Sequence, residues 1–153
     1  MAQPSIVGVH HVKFPVSNLE QSRDWYERVL GLQVLVDFPD EDGVVRGLAG
    51  LLPGSPPVAV ALREHPTAAG GAAGFDPVSF AVADRDAAMA WAKHLDHLGV
   101  GHSDVVEGTL GWSLDTVDPD GIVIRLYSAD RGEVDNTDRP GYARAIVKLE
   151  VDQ

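Results

Sequence analysis

The chain repeats itself. Val12-Lys-Phe-Pro-Val-Ser-Asn18 matches Val78-Ser-Phe-Ala-Val-Ala-Asp84 at an offset of 66 residues, and the same offset carries Trp25 onto Trp91. Leu30-Gly-Leu32 then matches Leu98-Gly-Val100, two residues further out of phase. A period this long within 153 residues restricts the fold to two copies of one supersecondary unit. What the first half folds into, the second must also adopt.

The first copy opens on residues 7–16, which alternate as a strand with Val12, Phe14 and Val16 on one face and Val9, His11 and Lys13 on the other. Ser17 and Glu20 form a capping box, with Asn18 as the alternative cap, for a helix over 19–30. Leu19, Ser22, Trp25 and Val29 fall at core spacing on that helix, and Gly31 ends it. Strands follow at 33–38, 44–52 and 58–63, separated by Pro- and Gly-rich turns. Thr67-Ala-Ala-Gly-Gly-Ala-Ala-Gly74 is too small to pack and reads as a linker. The second copy holds a strand at 78–82 and a helix over 86–98 capped by Asp84, with Ala88, Trp91, Ala92, Leu95 and Leu98 on one face. Strands at 102–107, 111–117 and 122–127 complete it.

Thr116 to Ser128 reads as a hairpin turning on Asp118-Pro-Asp-Gly121, in which glycine supplies the positive φ. With Asp118 paired to Ile122, Asp115 lies opposite Arg125 and Ser113 opposite Tyr127. Ile122, Ile124 and Leu126 then point into a core, and Arg125 points the other way. Residues 58–62 are the counterpart of 122–126, so Ala61 corresponds to Arg125. Residues 129–153 form a polar tail, within which 145–151 alternates like an edge strand without a place in the repeat.

A duplicated βαβββ unit opening on His10-His-Val12, with a Trp25-Tyr-Glu-Arg-Val-Leu-Gly-Leu32 helix end and a late Asp118-Pro-Asp-Gly121, resembles the vicinal oxygen chelate superfamily. This is the superfamily of glyoxalase I, bleomycin and fosfomycin resistance proteins, methylmalonyl-CoA epimerase and extradiol dioxygenases. The resemblance spans roughly residues 6–128. It implies an α+β fold of two tandem βαβββ modules, glyoxalase-like, whose curved mixed sheet surrounds a cup. A single domain over 1–128 would comprise modules 6–66 and 75–128.

In metal-dependent members the ligands come from the first and last strands of each module, which here gives His11, Ala61, Pro77 and Arg125. Alanine and proline side chains have no lone pair, and a guanidinium is a permanent cation without an acceptor. No metal and no other cofactor is therefore expected, although Glu64 and His65 lie just past a strand end and could serve if the chain bends. The resemblance implies a protein binding a small organic molecule in its cup. The alternatives are a metal-free isomerase or lyase and a metal-dependent glyoxalase- or dioxygenase-like enzyme.

For the metal-free enzyme the catalytic pair is His11, moving a proton, and Arg125, stabilising an oxyanion. The bland alternatives are a hydrogen-bonded histidine and a cross-strand Asp115–Arg125 ion pair. The strand parity assigns His11, Lys13, Arg63, Ser79, Asp115, Arg125 and Tyr127 to ligand binding. His10 falls on the opposite face as packing. Trp25 and Trp91 are core residues, and Trp112 packs beneath the second helix or at an interface. His94 and His97 are surface residues, and His102 and Glu107 flank one wall of the cup.

A formal net charge of −11 and a pI near 4.7 disfavour nucleic acid and favour cationic or neutral small ligands. There is no cysteine, hence no disulfide. No apolar run reaches membrane-spanning length, and residues 1–5 lack the features of a signal peptide, so the expectation is a cytoplasmic protein that does not engage a membrane. Relatives by resemblance commonly pair, and a homodimer is expected.

Overall fold

In the computed structural model, residues 2–130 and Pro140 are described; the edge strand expected at 145–151 lies outside them. They divide into two compact units, residues 1–75 with 118–122, and 76–117 with the remainder from Val123.

In the first unit, helix α1 spans Leu19–Leu30 and begins at Asn18, whose extended backbone lets its side chain accept the Gln21 N–H at 3.0 Å. The capping box on Ser17 does not form, because the Ser17 N–H donates instead to Asp120 Oδ2 at 3.0 Å. Gly31 ends the helix at φ 75°. Its N–H reaches the Glu27 carbonyl, and the Leu32 N–H reaches that of Tyr26, which satisfies two terminal acceptors.

Four strands form a mixed sheet in the order β1-β4-β3-β2: β1 (Val12–Val16), β2 (Gln33–Pro39), β3 (Val45–Leu52) and β4 (Val58–Glu64), with β1 parallel to β4. Strand β1 is shorter than the 7–16 expected. Its ladder starts at Val12↔Val60, and four steps back it would meet Pro56, next to Pro57, where two successive residues have no N–H to give. One face of the sheet packs on α1. Phe14, Val16, Leu48, Val60 and Leu62 are buried there against Tyr26 and Val29.

The linker expected at 67–74 is a helix, α2 (Pro66–Ala72). Proline is pre-set for a first helical turn and alanine is the best helix former, so a run too small to fill a core still folds once it is capped. His65 Nδ1 supplies the cap by accepting the Ala68 N–H at 3.1 Å. The helix packs against β1, and Ala69 is fully buried.

The second unit repeats the plan with β5 (Ser79–Val82), α3 (Arg85–Leu98), β6 (Val106–Glu107), β7 (Trp112–Val117) and β8 (Val123–Ser128), ordered β5-β8-β7-β6 with β5 parallel to β8. Asp84 caps α3 through the Ala87 N–H at 2.8 Å. Asp115 pairs with Arg125 and Ser113 with Tyr127, as the turn chemistry requires. Ile122, Ile124 and Leu126 are buried. The repeat holds at the level of register: Lys13 pairs with Ala61 as Ser79 pairs with Arg125.

Trp91 is only half-buried, unlike Trp25, because the buried face of α3 is carried by Ala88 and Leu95. The strand expected over 102–107 shrinks to two residues. Its first part keeps a single antiparallel bridge, His102 with Thr116, and a Ser103 N–H to Asp115 carbonyl bond at 2.8 Å, reinforced by side chains: Ser103 Oγ accepts the Asp115 N–H at 2.9 Å, and Thr116 Oγ1 donates to the Gly101 carbonyl at 2.7 Å. Trp112 is half-buried beneath the Arg85 guanidinium, 5.1 Å from its ring.

Candidate functional site

In the first unit, the sheet face turned away from α1 carries a pocket of about 390 Å³. Its floor is made by Gly47 and Ala49 on β3 and by Ala59 and Ala61 on β4, where alternation sends the shortest side chains to this face. Phe38 stands at one edge. His10, His11, Lys13 and Arg63 stand around it, all exposed. His10, expected on the opposite face, lines the same pocket, because residues 10 and 11 precede β1 and strand parity does not govern them. The two imidazoles meet edge-on, with their Nδ1 atoms 2.9 Å apart.

Among the described residues, no carboxylate lines this pocket. The acidic residues of its strands point to the helix side, where Asp37 meets Arg23 at 3.4 Å and Glu64 accepts the Leu19 N–H at 3.2 Å and pairs with Arg46 at 2.5 Å. Arg46 also pairs with Asp40, whose carboxyl is held below the usual range, chiefly by the Val44 N–H and then by Arg46. Glu64 is thus committed elsewhere and His65 is a helix cap, so neither serves as a reserve ligand.

In the second unit the organising group is Arg125. It is held bidentately by Asp115, Nε to Oδ1 at 2.7 Å and Nη2 to Oδ2 at 2.8 Å, while Nη1 donates to Asp76 at 2.7 Å. The Asp115 hydrogen bonds hold the Arg125 proton tightly and raise its pKa, against the opposing effect of burial. Ser79 neighbours Arg125 across β5–β8, and Tyr127 lies two residues along β8, so Ser79, Asp115, Arg125 and Tyr127 share a face of this sheet. Asp76 was absent from the expected set. The offset of 66 carries His10 onto Asp76, and that signal marks it in retrospect.

Of the four positions that the resemblance assigns to metal ligands, only His11 carries a donor: Ala61 and Pro77 have no lone pair to offer, and Arg125 is a cation. Among the described residues no group of three or more His, Asp or Glu is arranged to hold a metal. His102 lines a shallow pocket of about 320 Å³ with Ser103, Asp115 and Thr116. Its Nδ1 lies 2.6 Å from the Ser103 carbonyl and its Nε2 lies 3.0 Å from Asp96 on α3. With acceptors facing both nitrogens its pKa is raised, first by the Ser103 carbonyl and then by Asp96. A second buried pair was not foreseen: the Tyr26 hydroxyl donates to Asp118 Oδ2 at 2.9 Å, and burial pushes both pKa values up.

A family model described as Glyoxalase/Bleomycin resistance protein/Dioxygenase superfamily matches residues 8–126. The chain belongs to that superfamily. Among solved structures of similar fold, a glyoxylase/bleomycin resistance protein/dioxygenase domain from Frankia sp. EAN1pec is 27% identical. The match covers 82% of this chain and 100% of that one, with a TM-score of 0.65. TnmS3, an antibiotic binding protein from Streptomyces sp. CB03234, is 25% identical over 82% and 100% of the two chains at a TM-score of 0.63. Lactoylglutathione lyase from Agrobacterium tumefaciens shares the fold at 16% identity, 82% and 96% coverage and a TM-score of 0.64. No curated protein sequence matches the chain. Within this superfamily the α+β plan of two four-stranded mixed sheets is shared with glyoxalase, and no helix of the described residues is long and apolar enough to cross a membrane.

Proposed function

We propose that this chain binds a small organic molecule without a divalent metal, as a sequestering protein. The observation that carries this reading is the 390 Å³ pocket with a floor of glycine and alanine, in a chain whose metal-ligand positions are occupied by Ala61, Pro77 and Arg125. A drug-sized ligand needs a concave apolar site of about 300–1,000 Å³ with few polar groups to orient it. The likeness to an antibiotic binding protein supports sequestration as the purpose. An isomerase or lyase using His11 and Arg125 gains less support, since the Arg125 charge is already neutralised by two carboxylates. Thermal-shift screening of natural-product antibiotics, with and without a chelator, tests the reading. Stabilisation that survives chelation is expected. A stoichiometric transition metal required for binding, or no stabilisation across the library, sinks it. We also propose that the chain pairs with a second copy. Exposed apolar side chains at Ile6, Val7, Val9 and Leu35 support this, and sedimentation velocity tests it.

A further inference from the structure

The whole chain is strongly acidic, yet the pocket of the first unit is locally basic. Lys13 and Arg63 are basic side chains at its rim, and neither has a carboxylate partner among the described residues. Elsewhere in the same unit arginine is paired: Arg23 with Glu27 and Asp37, Arg46 with Asp40 and Glu64. The alternation of β2 and β4 sends Asp37 and Glu64 to the helix face, so that among the described residues the pocket face has basic side chains and no carboxylate. Register places Lys13 beside Ala61 on the adjacent parallel strand, with Arg63 two residues further along, so the two cations are diagonal neighbours roughly 8 Å apart along the sheet from the strand spacing and rise. Two long side chains at that spacing can reach one anionic group between them.

Beside them the floor has nothing longer than a methyl. Ala49 faces Ala61 across β3–β4, and Gly47 and Ala59 extend this patch in opposite directions. A flat ring system fits a floor of that kind, with Phe38 available at its edge. We infer that this pocket takes a flat, apolar organic anion, with its ring system on the alanine floor and its carboxylate or sulfonate between Lys13 and Arg63. The proposal rests on the small-molecule reading above and reverses the ligand charge that the overall composition suggests. Net charge acts at long range and is screened within about 8–10 Å at physiological salt, whereas the two rim cations act at contact.

The test titrates the full chain with three anthraquinones alike in ring system: the 2-carboxylate, the 2-hydroxymethyl alcohol and the 2-aminomethyl cation. The carboxylate is expected to bind about tenfold more tightly than the alcohol, the scale of charge-assisted hydrogen bonds partly exposed to water. Lys13→Met with Arg63→Met should bring the carboxylate's affinity down to that of the alcohol, both read in the same variant, and both residues are exposed, so folding is not at stake. Ala61→Leu should weaken all three ligands together by filling the floor. Equal affinities, or preference for the cation, overturn the anion inference while leaving the small-molecule reading in place. If none of the three binds and Ala61→Leu shifts the sedimentation coefficient, the pocket is covered by a second copy and both readings fall.

Discussion

At the scale of single residues, the most consequential groups are polar ones that burial leaves no freedom. The Tyr26 hydroxyl, fully buried, has Asp118 as its acceptor, and Asp118 also receives the Asp120 and Ile122 N–H groups at 2.9 and 3.0 Å. Tyr26→Phe removes one bond from a buried carboxylate and is expected to cost about 1–3 kcal/mol, read by urea denaturation. Arg125 poses the reverse case. Arg125→Met leaves Asp76 and Asp115 facing one another without a counter-charge, although all three are about a third exposed. The loss should be about 1 kcal/mol, and Asp76→Asn or Asp115→Asn in that background should recover part of it. Full additivity of the two changes would show that no coupling exists. The sequence made the Asp115–Arg125 pair legible, because a four-residue turn ending in Gly121 leaves one register for its strands. It did not reveal Asp118 as a buried acceptor, since an aspartate opening a turn is ordinarily a solvated residue.

At the scale of elements, side-chain bonds reinforce the backbone where a ladder thins to a single bridge. The 101–103 segment is held to β7 and to α3 through Ser103, Thr116 and His102. Only the protonated ring can donate at both nitrogens of His102 at once, Asp96 and Asp104 add negative charge around it, and its folded pKa lies above the ordinary 6.5. Because the folded value is the higher, the stabilisation is fully present below pH 6.5 and is lost as pH rises through the folded pKa. His102→Gln should flatten that decline, measured as midpoints of denaturation from pH 6 upward; an unchanged slope would remove His102 as its source. On β3, a Cβ at Gly50 would press on the backbone of Gln33 and Val34, beside the bulge in β2. Gly50→Ala is therefore expected to cost about 1–3 kcal/mol by displacing an edge strand, seen as a lower thermal midpoint. The helix ends at Gly31 and Gly99 were legible because a left-handed residue there satisfies terminal carbonyls. Helix α2 was not, since its glycines argued for a loop and only the His65 side chain tips the balance.

At the scale of the whole molecule, the duplication was legible from spacing alone and the pocket only in part. Strand parity placed Lys13 and Arg63 on the pocket face, but it placed His10 wrongly and said nothing of Asp76. Parity holds only where a ladder exists, and both of those residues lie outside one. The two compact units also fail to coincide with two lengths of chain, because Asp118–Ile122 belongs with the first although it joins strands of the second. Severing the gene near residue 75 would therefore strand a phenol in an apolar interior with no oxygen to receive its proton. The expected product is a half that stays unfolded on its own, and whose circular dichroism recovers only when the missing turn is restored. The first copy thus borrows the turn that completes it from a stretch of chain more than forty residues downstream of its own last residue.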